Sequence, residues 1–391
     1  MPASPQRPAT NQGDTMHVGY ASLFQNPHNA LSDREVWREE VRMACLAEPL
    51  GFDSVWSIEH HFTDYTMCPD PLQFLTYMAA KTERVQLGTM VVVLPWHDPV
   101  RVAEQVSLLD TLSDGRLILG LGRGLGRVEY DGFRIDMGEG RERFVEYAQL
   151  VLDALETGYI EGGDQLDQPR RDIRPFSGRS FKGRTYAAAV SPESMDIMAR
   201  LGVGLLVIPQ KPWEAVKADF ENYRAVWTDV NGDAPIPKPL CGGFFFVDEN
   251  ENRAHELGMR YVSDYYHTAM NHYEMTAEHF GTSKGYEFYA NVGSYIDRRG
   301  VQTAAEDFAK LMPIGTPEQV LEKLQFIRDT IDMQAIMVQT SYAGMSWTEA
   351  ERNLRCFAEH CLPELKTWDT EPLAAPHELA VAAGGGGAGA A

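Results

Sequence analysis

Two histidines follow a glutamate in the segment Glu59, His60, His61, Phe62. Imidazole and carboxylate groups side by side suit general acid–base chemistry near neutral pH. If the segment ends a β-strand, adjacent side chains point to opposite faces, so one histidine faces inward and one metal ion cannot easily bind both. We therefore predict an acid–base site without a metal. A metal site and a purely structural pair are the alternatives.

Four glycines, at positions 120, 122, 124 and 126, surround Arg123. The GxGxxG spacing of a dinucleotide site is absent, and we do not expect the segment that follows, 128–140, to open a helix directly against the sheet. Two interpretations stay open. Either a ligand approaches the backbone here and Arg123 meets its anionic group, or the segment is a tight loop with a solvated arginine.

A turn with two hydroxyls, Ser191 and Ser194, precedes an amphipathic segment. Free N–H groups at a helix N-terminus make a phosphate site, but an ordinary helix cap has the same composition. The motif alone does not separate the two possibilities.

Short apolar runs alternate eight times with longer amphipathic segments, which predicts an α/β fold in the form of a closed (β/α)₈ TIM barrel. The predicted strands are 17–24, 54–59, 85–93, 116–121, 186–190, 204–208, 241–247 and 335–340, and the predicted helices begin near Asp33, Pro71, Pro99, Gly140, Pro192, Pro212, Glu249 and Trp347. In such a barrel the active site lies at the C-terminal ends of the strands.

Two segments interrupt this repeat: 160–184, after the fourth strand, and 281–315, between the seventh and eighth. Long insertions of this kind are often lids over an active site. We expect residues 1–15 to be a disordered extension, residues 16–365 to form the barrel domain, and the tail 366–391, with its Gly and Ala run, to be largely disordered.

The composition excludes several classes of function. A formal net charge of -21 disfavours nucleic acid and anionic membrane surfaces as partners. The five cysteines show no CxxC spacing, so we expect neither a disulfide framework nor a zinc cage, and a reducing compartment. The first 15 residues do not resemble a secretory signal, and no apolar run approaches the roughly 18 residues that span a bilayer. We expect a cytoplasmic enzyme.

Several stretches of the sequence resemble the bacterial-luciferase-like flavin monooxygenases, and most of all the luciferase α subunits. They are GFDSVWSIEHHFTDY (51–65), VVVLPWHDPVRVAEQVSLLDTLSDGRLILGLGRG (91–124), GFRIDMGEGR (132–141), KGYEF (284–288) and GTPEQV (315–320). The resemblance extends from residue 16 to about residue 365, and the first two stretches are specific to the family.

The resemblance assigns roles to particular residues. His60 matches the family's catalytic histidine beside the flavin, Arg123 and Arg141 match the positions that bind the FMN phosphate, and Ser191 and Ser194 complete that cradle. The remaining predicted cofactor contacts are Glu59, Met90, Gly124 and Leu125. The segment 284–299 matches the mobile loop that closes over the flavin, with Lys284, Gly285, Tyr286 and Phe288 as its lid residues.

The chemistry that the resemblance implies is a reaction of reduced FMN with O₂ to a flavin C4a-peroxide, which then oxygenates an apolar aldehyde or ketone, Baeyer–Villiger oxidation included. No NAD(P)H fingerprint is present, so a separate flavin reductase would supply the reduced FMN. Luciferase-like barrels commonly form dimers through early helices, which predicts a homodimer. The alternatives are a deazaflavin (F420)-dependent hydride transferase and a flavin-binding protein without turnover.

The sequence also departs from the luciferase pattern. Gly122 replaces the reactive cysteine, Ile208 and Pro209 replace a serine and a tryptophan, and Val190 replaces a glutamate. The resemblance therefore does not predict light emission with a long-chain aldehyde.

Overall fold

The computed structural model describes residues 15–379 and contains thirteen strands within that range. These are β1 (His17–Ser22), β2 (Ser54–Ser57), β3 (Gln86–Thr89), β4 (Val92–Val93), β5 (Leu117–Gly122), β6 (Tyr159–Gly162), β7 (Gln168–Asp172), β8 (Thr185–Ala188), β9 (Gly204–Val207), β10 (Leu240–Phe244), β11 (Phe246–Val247), β12 (Ile314–Gly315) and β13 (Ala335–Gln339).

The helices of the described residues lie between these strands. They are α1 (Asp33–Leu50), α2 (Pro71–Ala79), α3 (Pro99–Leu112), α4 (Arg127–Phe133), α5 (Gly140–Thr157), α6 (Pro192–Leu201), α7 (Trp213–Asn231), α8 (Glu251–Tyr273), α9 (His279–Thr282), α10 (Glu287–Arg299), α11 (Val301–Ala309), α12 (Pro317–Ile331), α13 (Trp347–His360) and α14 (Leu362–Leu365). None of these helices is both long enough and apolar enough to cross a membrane.

Eight parallel strands close into a barrel, which confirms the predicted fold. The order around the barrel is β3, β2, β1, β13, β10, β9, β8 and β5, and pairing between β3 and β5 closes it. The eight predicted strands correspond to these eight in chain order. Their outward side chains pack against the surrounding helices and form most of the core.

Local capping signals set several helix starts. Asp70, Asp98 and Ser191 each precede a proline at the first helical position, and each side chain accepts a hydrogen bond from a backbone N–H of the first turn. Such a cap satisfies one of the free N–H groups at the helix start, while proline has no N–H to satisfy there. The predicted starts at Pro71, Pro99 and Pro192 are therefore confirmed.

Large side chains fill the lower part of the barrel, at the N-terminal ends of the strands. Trp56 is fully buried there, packed with Tyr186 and Leu240. A Cβ atom on Gly88 would lie 2.2 Å from the Trp56 ring, so glycine is what leaves room for the indole. Leu373, from the end of the chain, packs against the same cluster.

The segment after β5 differs from the prediction in one respect. We expected no helix directly after the glycine cluster, yet α4 begins at Arg127, with Gly126 as its N-cap. Its buried residues Glu129 and Tyr130 face the neighbouring site residues described below. Contacts of these buried residues therefore stabilise the short helix. Its start could not be recognised in the sequence because glycines precede it. Helix α5 begins at Gly140, where a helix start was predicted, and the first insertion, 160–184, includes most of an antiparallel hairpin of β6 and β7.

The second insertion, 281–315, is mainly helical. It contains α10 and α11, which lie between α8 and α12 in the chain. Residues of both helices line the cavity at the C-terminal ends of the strands.

The end of the described chain packs against the barrel. Met16 N–H donates to the carbonyl of Trp368, and Arg179 forms an ion pair with Glu378. The expectation of a disordered tail concerned residues 366–391. Of these the structure describes 366–379, which make these contacts, and 380–391 lie outside the described residues, as do residues 1–14 of the expected N-terminal extension.

Candidate active site

A cavity of about 810 Å³ opens at the C-terminal ends of the barrel strands. Met90, Gly122, Ala188, Ile208 and Phe244, from the ends of five strands or just beyond them, form its floor and walls. Enzymes with this fold place their chemistry at this end of the barrel. The predicted residues His60, Glu59, Met90, Arg123, Gly124, Leu125, Arg141, Ser194 and Phe288 also line this cavity.

His60 lies just beyond β2, with its ring at the edge of the cavity. Its Nδ1 atom is 2.9 Å from Glu129 Oε1, and its Nε2 atom is 3.2 Å from the hydroxyl of Tyr273. Because a carboxylate only accepts hydrogen bonds, Glu129 favours the proton on Nδ1. This leaves Nε2, the atom beside Tyr273, to exchange a proton.

Glu129 is fully buried beneath His60. Its Oε1 atom also accepts a hydrogen bond from the backbone N–H of His61 at 2.9 Å and lies 3.5 Å from His272 Nε2. Burial alone would raise the pKa of this carboxyl, but His60 and His272 favour its charged form and hold the pKa at about 2. Glu129 is therefore ionised at neutral pH.

His61 contacts a different carboxylate. Its Nε2 atom is 3.1 Å from Glu59 Oε1, which is also 2.6 Å from His97 Nε2, and Glu59 Oε2 accepts from the N–H of Val93 at 2.8 Å. These hydrogen bonds outweigh burial and lower the pKa of Glu59. The His61 ring packs edge-on against Trp96 at 5.4 Å. The side chains of the two neighbouring histidines thus form hydrogen bonds with different carboxylates.

One group of described residues has the composition of a metal site. His60, Glu129 and His272, here called the His–Glu–His group, each offer a ligand atom within 4.8 Å of the others. We expected no metal because His60 and His61 cannot easily share one ion, an argument that did not consider His272. Hydrogen bonds already account for the observed contacts of His60 in this group.

Arg123 and Arg141 converge on a single oxygen atom. Arg123 Nη1 and Arg141 Nη2 donate to the carbonyl oxygen of Gly285 at 2.7 and 2.9 Å. The Arg141 guanidinium also pairs with Glu193, and its Nε atom is buried without a hydrogen-bond partner. Two guanidinium groups that reach the same oxygen can hold a phosphate through charge-assisted hydrogen bonds.

The two serines of the predicted cradle lie at the start of α6. Ser191 Oγ accepts from the N–H of Ser194 at 3.2 Å and lies 2.8 Å from its hydroxyl. Ser191 is therefore an ordinary helix cap by geometry, while Ser194 also reaches the cavity. Glu193 lies between the two serines in the sequence and forms an ion pair with Arg141.

Gly124 and the lid residues lie close together. Gly124 has a φ of +84°, and a Cβ there would come within 2.7 Å of Trp96. Its carbonyl accepts from the hydroxyl of Tyr286 at 3.1 Å, and the Tyr286 ring lies 3.9 Å from the Arg123 guanidinium. Tyr286 is buried, whereas Lys284 is exposed and pairs with Glu142 at 2.5 Å.

Three site residues were missed by sequence reasoning: Glu129 on α4 and His272 and Tyr273 on α8. The argument from the barrel considered only residues at strand ends, and the family resemblance assigned no role to these three, which come from helices. In the sequence, a Glu in a short helix and a His–Tyr pair in a long one carry no signal that distinguishes them from surface or core residues.

Comparisons with known proteins found similar sequences along most of the chain. The family model for luciferase-like monooxygenase matches residues 16–332. The alkanal monooxygenase alpha chain of Photorhabdus laumondii is 25% identical over 349 residues, which cover 88% of this chain and 96% of that protein.

Solved structures share the fold over nearly their whole length. Monooxygenase RslO1 from Streptomyces bottropensis has a TM-score of 0.69 at 26% identity, covering 89% of this chain and 99% of that one. The oxygenating constituent of 3,6-diketocamphane monooxygenase from Pseudomonas putida, solved with FMN, has a TM-score of 0.67 at 16% identity, covering 90% and 99%. The F420-dependent tetrahydromethanopterin reductase of Methanopyrus kandleri has a TM-score of 0.62 at 17% identity, covering 90% and 100%.

Proposed function

Because the chain belongs to the luciferase-like monooxygenase family, we propose that it is the oxygenating component of a two-component, FMN-dependent monooxygenase. Its substrate would be an apolar aldehyde or ketone. The overall reaction consumes reduced FMN, O₂ and substrate, and it yields oxidised FMN, water and a product with one added oxygen atom. Reduced FMN would come from a separate flavin reductase.

The observation that carries this proposal is the convergence of Arg123 and Arg141 beside a cavity that also contains His60. Both guanidinium groups already bind one carbonyl oxygen, and Arg141 Nε is a buried donor without a partner. A phosphate monoester has the charge and the oxygen atoms to satisfy all of these donors. The donor set therefore fits the phosphate of FMN, with Ser194 as a further donor.

When bound, reduced flavin supplies the two electrons that activate O₂. The residues of the chain would then control protons and water. His60, oriented by the ionised Glu129, would exchange a proton through its Nε2 atom. The mainly apolar cavity wall excludes water that would divert the reaction to peroxide release.

We propose that the protein acts as a homodimer through α2 and α3. Tyr77 on α2 and Leu108 and Leu112 on α3 are 49%, 42% and 58% exposed. Leu108 and Leu112 are four residues apart and so lie on one helix face. An exposed apolar face of this kind is typical of a protein interface.

Rapid mixing tests the proposed reaction. Protein with photoreduced FMN is mixed with O₂, and flavin absorbance, hydrogen peroxide and oxygenated product are measured with a panel of aldehydes and ketones. We expect an absorbance transient between reduced and oxidised flavin, and less peroxide when a substrate is present. If no transient forms and reduced F420 transfers a hydride instead, the protein is the deazaflavin-dependent enzyme. If neither cofactor supports turnover, it is a binding protein.

A further inference from the structure

Six aromatic rings line one part of the cavity. This aromatic wall comes from the loop after β2, the end of β10, α8 and α11, and consists of Tyr65, Phe244, Tyr265, Tyr266, Tyr273 and Phe308. Tyr265 and Tyr273 are eight residues apart on α8, and the small Ala269 lies between them, so all three share one helix face.

The rings of the wall form a continuous series of contacts that begins at His60. The centroid distances are 4.9 Å from His60 to Tyr65, 6.0 Å from Tyr65 to Tyr265, and 6.3 Å from Tyr265 to Phe308. Phe308 belongs to α11, so the wall connects the proposed acid–base residue to the second insertion. A molecule stacked on these rings therefore has one end beside His60.

Three of the four tyrosine hydroxyl groups within the wall have hydrogen-bond partners among the site residues. The Tyr65 and Tyr265 hydroxyls are 2.5 Å apart, and the Tyr273 hydroxyl contacts His60. A surface that only had to bind an alkyl chain would need no such arrangement, because leucine or isoleucine buries apolar area without a polar atom to satisfy. Tyrosine and phenylalanine rings add a preference for ring partners, through stacked and edge-to-face contacts.

Aliphatic side chains line another part of the cavity. Val190, Ile197, Leu206 and Ile208 line it, from the exits of β8 and β9 and from α6. The cavity volume of about 810 Å³ lies in the upper part of the roughly 300–1,000 Å³ that small-molecule sites occupy. The cavity thus offers aromatic and aliphatic surfaces within one site.

From this aromatic lining we propose that the substrate is a planar aromatic carbonyl compound of two or more fused rings, stacked on the aromatic wall with its carbonyl toward His60. This inference rests on the proposed function, because it assigns the substrate class of the same site. A puckered saturated ring system or a linear alkyl aldehyde would bury similar apolar area but would lose the ring contacts.

Two aldehydes with the same carbon skeleton test the proposal: 2-naphthaldehyde, which is planar, and decahydro-2-naphthaldehyde, which is saturated and puckered. Each is titrated by calorimetry, under argon, into protein saturated with reduced FMN, so that no turnover occurs. We expect the planar compound to bind at least about tenfold more tightly, since it can contact two or more rings of the wall.

Matched variants test which rings cause the preference for the planar aldehyde. Phe308→Leu and Tyr266→Leu each remove one ring and keep an apolar side chain, and we expect each to reduce the preference to less than about threefold. Phe326→Leu makes the same change at a side chain on α12 that is 43% exposed, and we expect it to keep the full preference. Melting curves and FMN affinity identify any variant that fails to fold, and Tyr266, which is only partly buried, serves if Phe308→Leu unfolds.

The outcomes separate this inference from the proposed function. If the saturated aldehyde binds the wild-type protein as tightly as the planar one, the assignment of an aromatic substrate is wrong, whether or not reduced FMN and O₂ react. An equal loss of preference in Phe326→Leu would overturn it too. If the planar preference is present but reduced FMN and O₂ give no transient and no product, the proposed function fails while the binding preference stands.

Discussion

Replacement of Glu129 by glutamine would test how the site holds His60. The substitution keeps the size of the side chain but removes its negative charge. In the wild-type protein Oε1 accepts bonds from His60 and from the backbone of His61. The carbonyl oxygen of glutamine can take the place of Oε1 and accept both bonds, but the amide carries no negative charge, and its NH₂ group would replace Oε2, which is buried without a hydrogen-bond partner. We therefore expect both stability and catalysis to fall.

The stability change follows from the pKa of Glu129, which the fold lowers from 4.5 to about 2. A carboxyl whose pKa is lowered by this much contributes about 3 kcal/mol to the free energy of unfolding. Because the folded pKa lies below the unfolded one, this contribution is complete above about pH 4.5 and disappears as the pH falls toward 2. Urea unfolding of both proteins at pH 7 and between pH 5 and 3 measures it, and the difference should narrow as the pH falls.

The catalytic change should be separate from folding. We expect Glu129→Gln to lower kcat by roughly 10²-fold, the lower range for loss of acid–base catalysis, while FMN affinity changes little. Glu129→Asp should recover part of kcat because it restores the charge. Glu161→Gln, at an exposed position on the β6–β7 hairpin, is the matched control. Wild-type kcat and unfolding free energy in Glu129→Gln would show that the carboxylate neither orients His60 nor stabilises the fold.

Three further predictions concern the cofactor, a metal and the assembly. Arg123→Ala or Arg141→Ala should weaken FMN binding by roughly 10- to 150-fold and riboflavin binding far less, since each arginine would contact only the phosphate; equal losses in fluorescence titrations would contradict the phosphate assignment. Dialysis against EDTA should change neither kcat nor Tm, and metal analysis should find less than about 0.1 equivalent; loss of activity that zinc or iron restores would assign the His–Glu–His group as a metal site. Leu112→Glu should shift the protein from dimer to monomer in sedimentation, and an unchanged mass would exclude this helix face as the interface.

The barrel could be predicted from the sequence because its signals are local. Each strand is a short apolar run, and an Asp or Ser before Pro71, Pro99 or Pro192 sets a helix start within one residue. The helix at Arg127 could not be predicted in the same way. Its two buried residues are stabilised by contacts with distant parts of the chain, which periodicity over seven residues does not reveal.

The site was predictable in part for a related reason. His60 and Arg123 lie at strand ends, and a barrel brings all strand ends to one rim. Their partners come from elsewhere: Glu129 is 69 residues from His60, and Tyr273 is 213 residues away. The packing of α4 and α8 decides which helix residue contacts which strand end. No spacing in the sequence encodes that packing.

The Trp56 indole, which fills the lower barrel, also affects how ligands enter and leave the cavity. Trp56, Tyr186 and the Leu373 side chain pack in one cluster at the lower end, whereas the cavity lies at the end of the barrel that carries His60. Flavin, oxygen, substrate and products would then enter and leave through the same opening, beside α10 and α11. Under the proposed function, flavin would have to bind before the substrate occupies the entrance, and the product would have to leave before oxidised flavin can be exchanged.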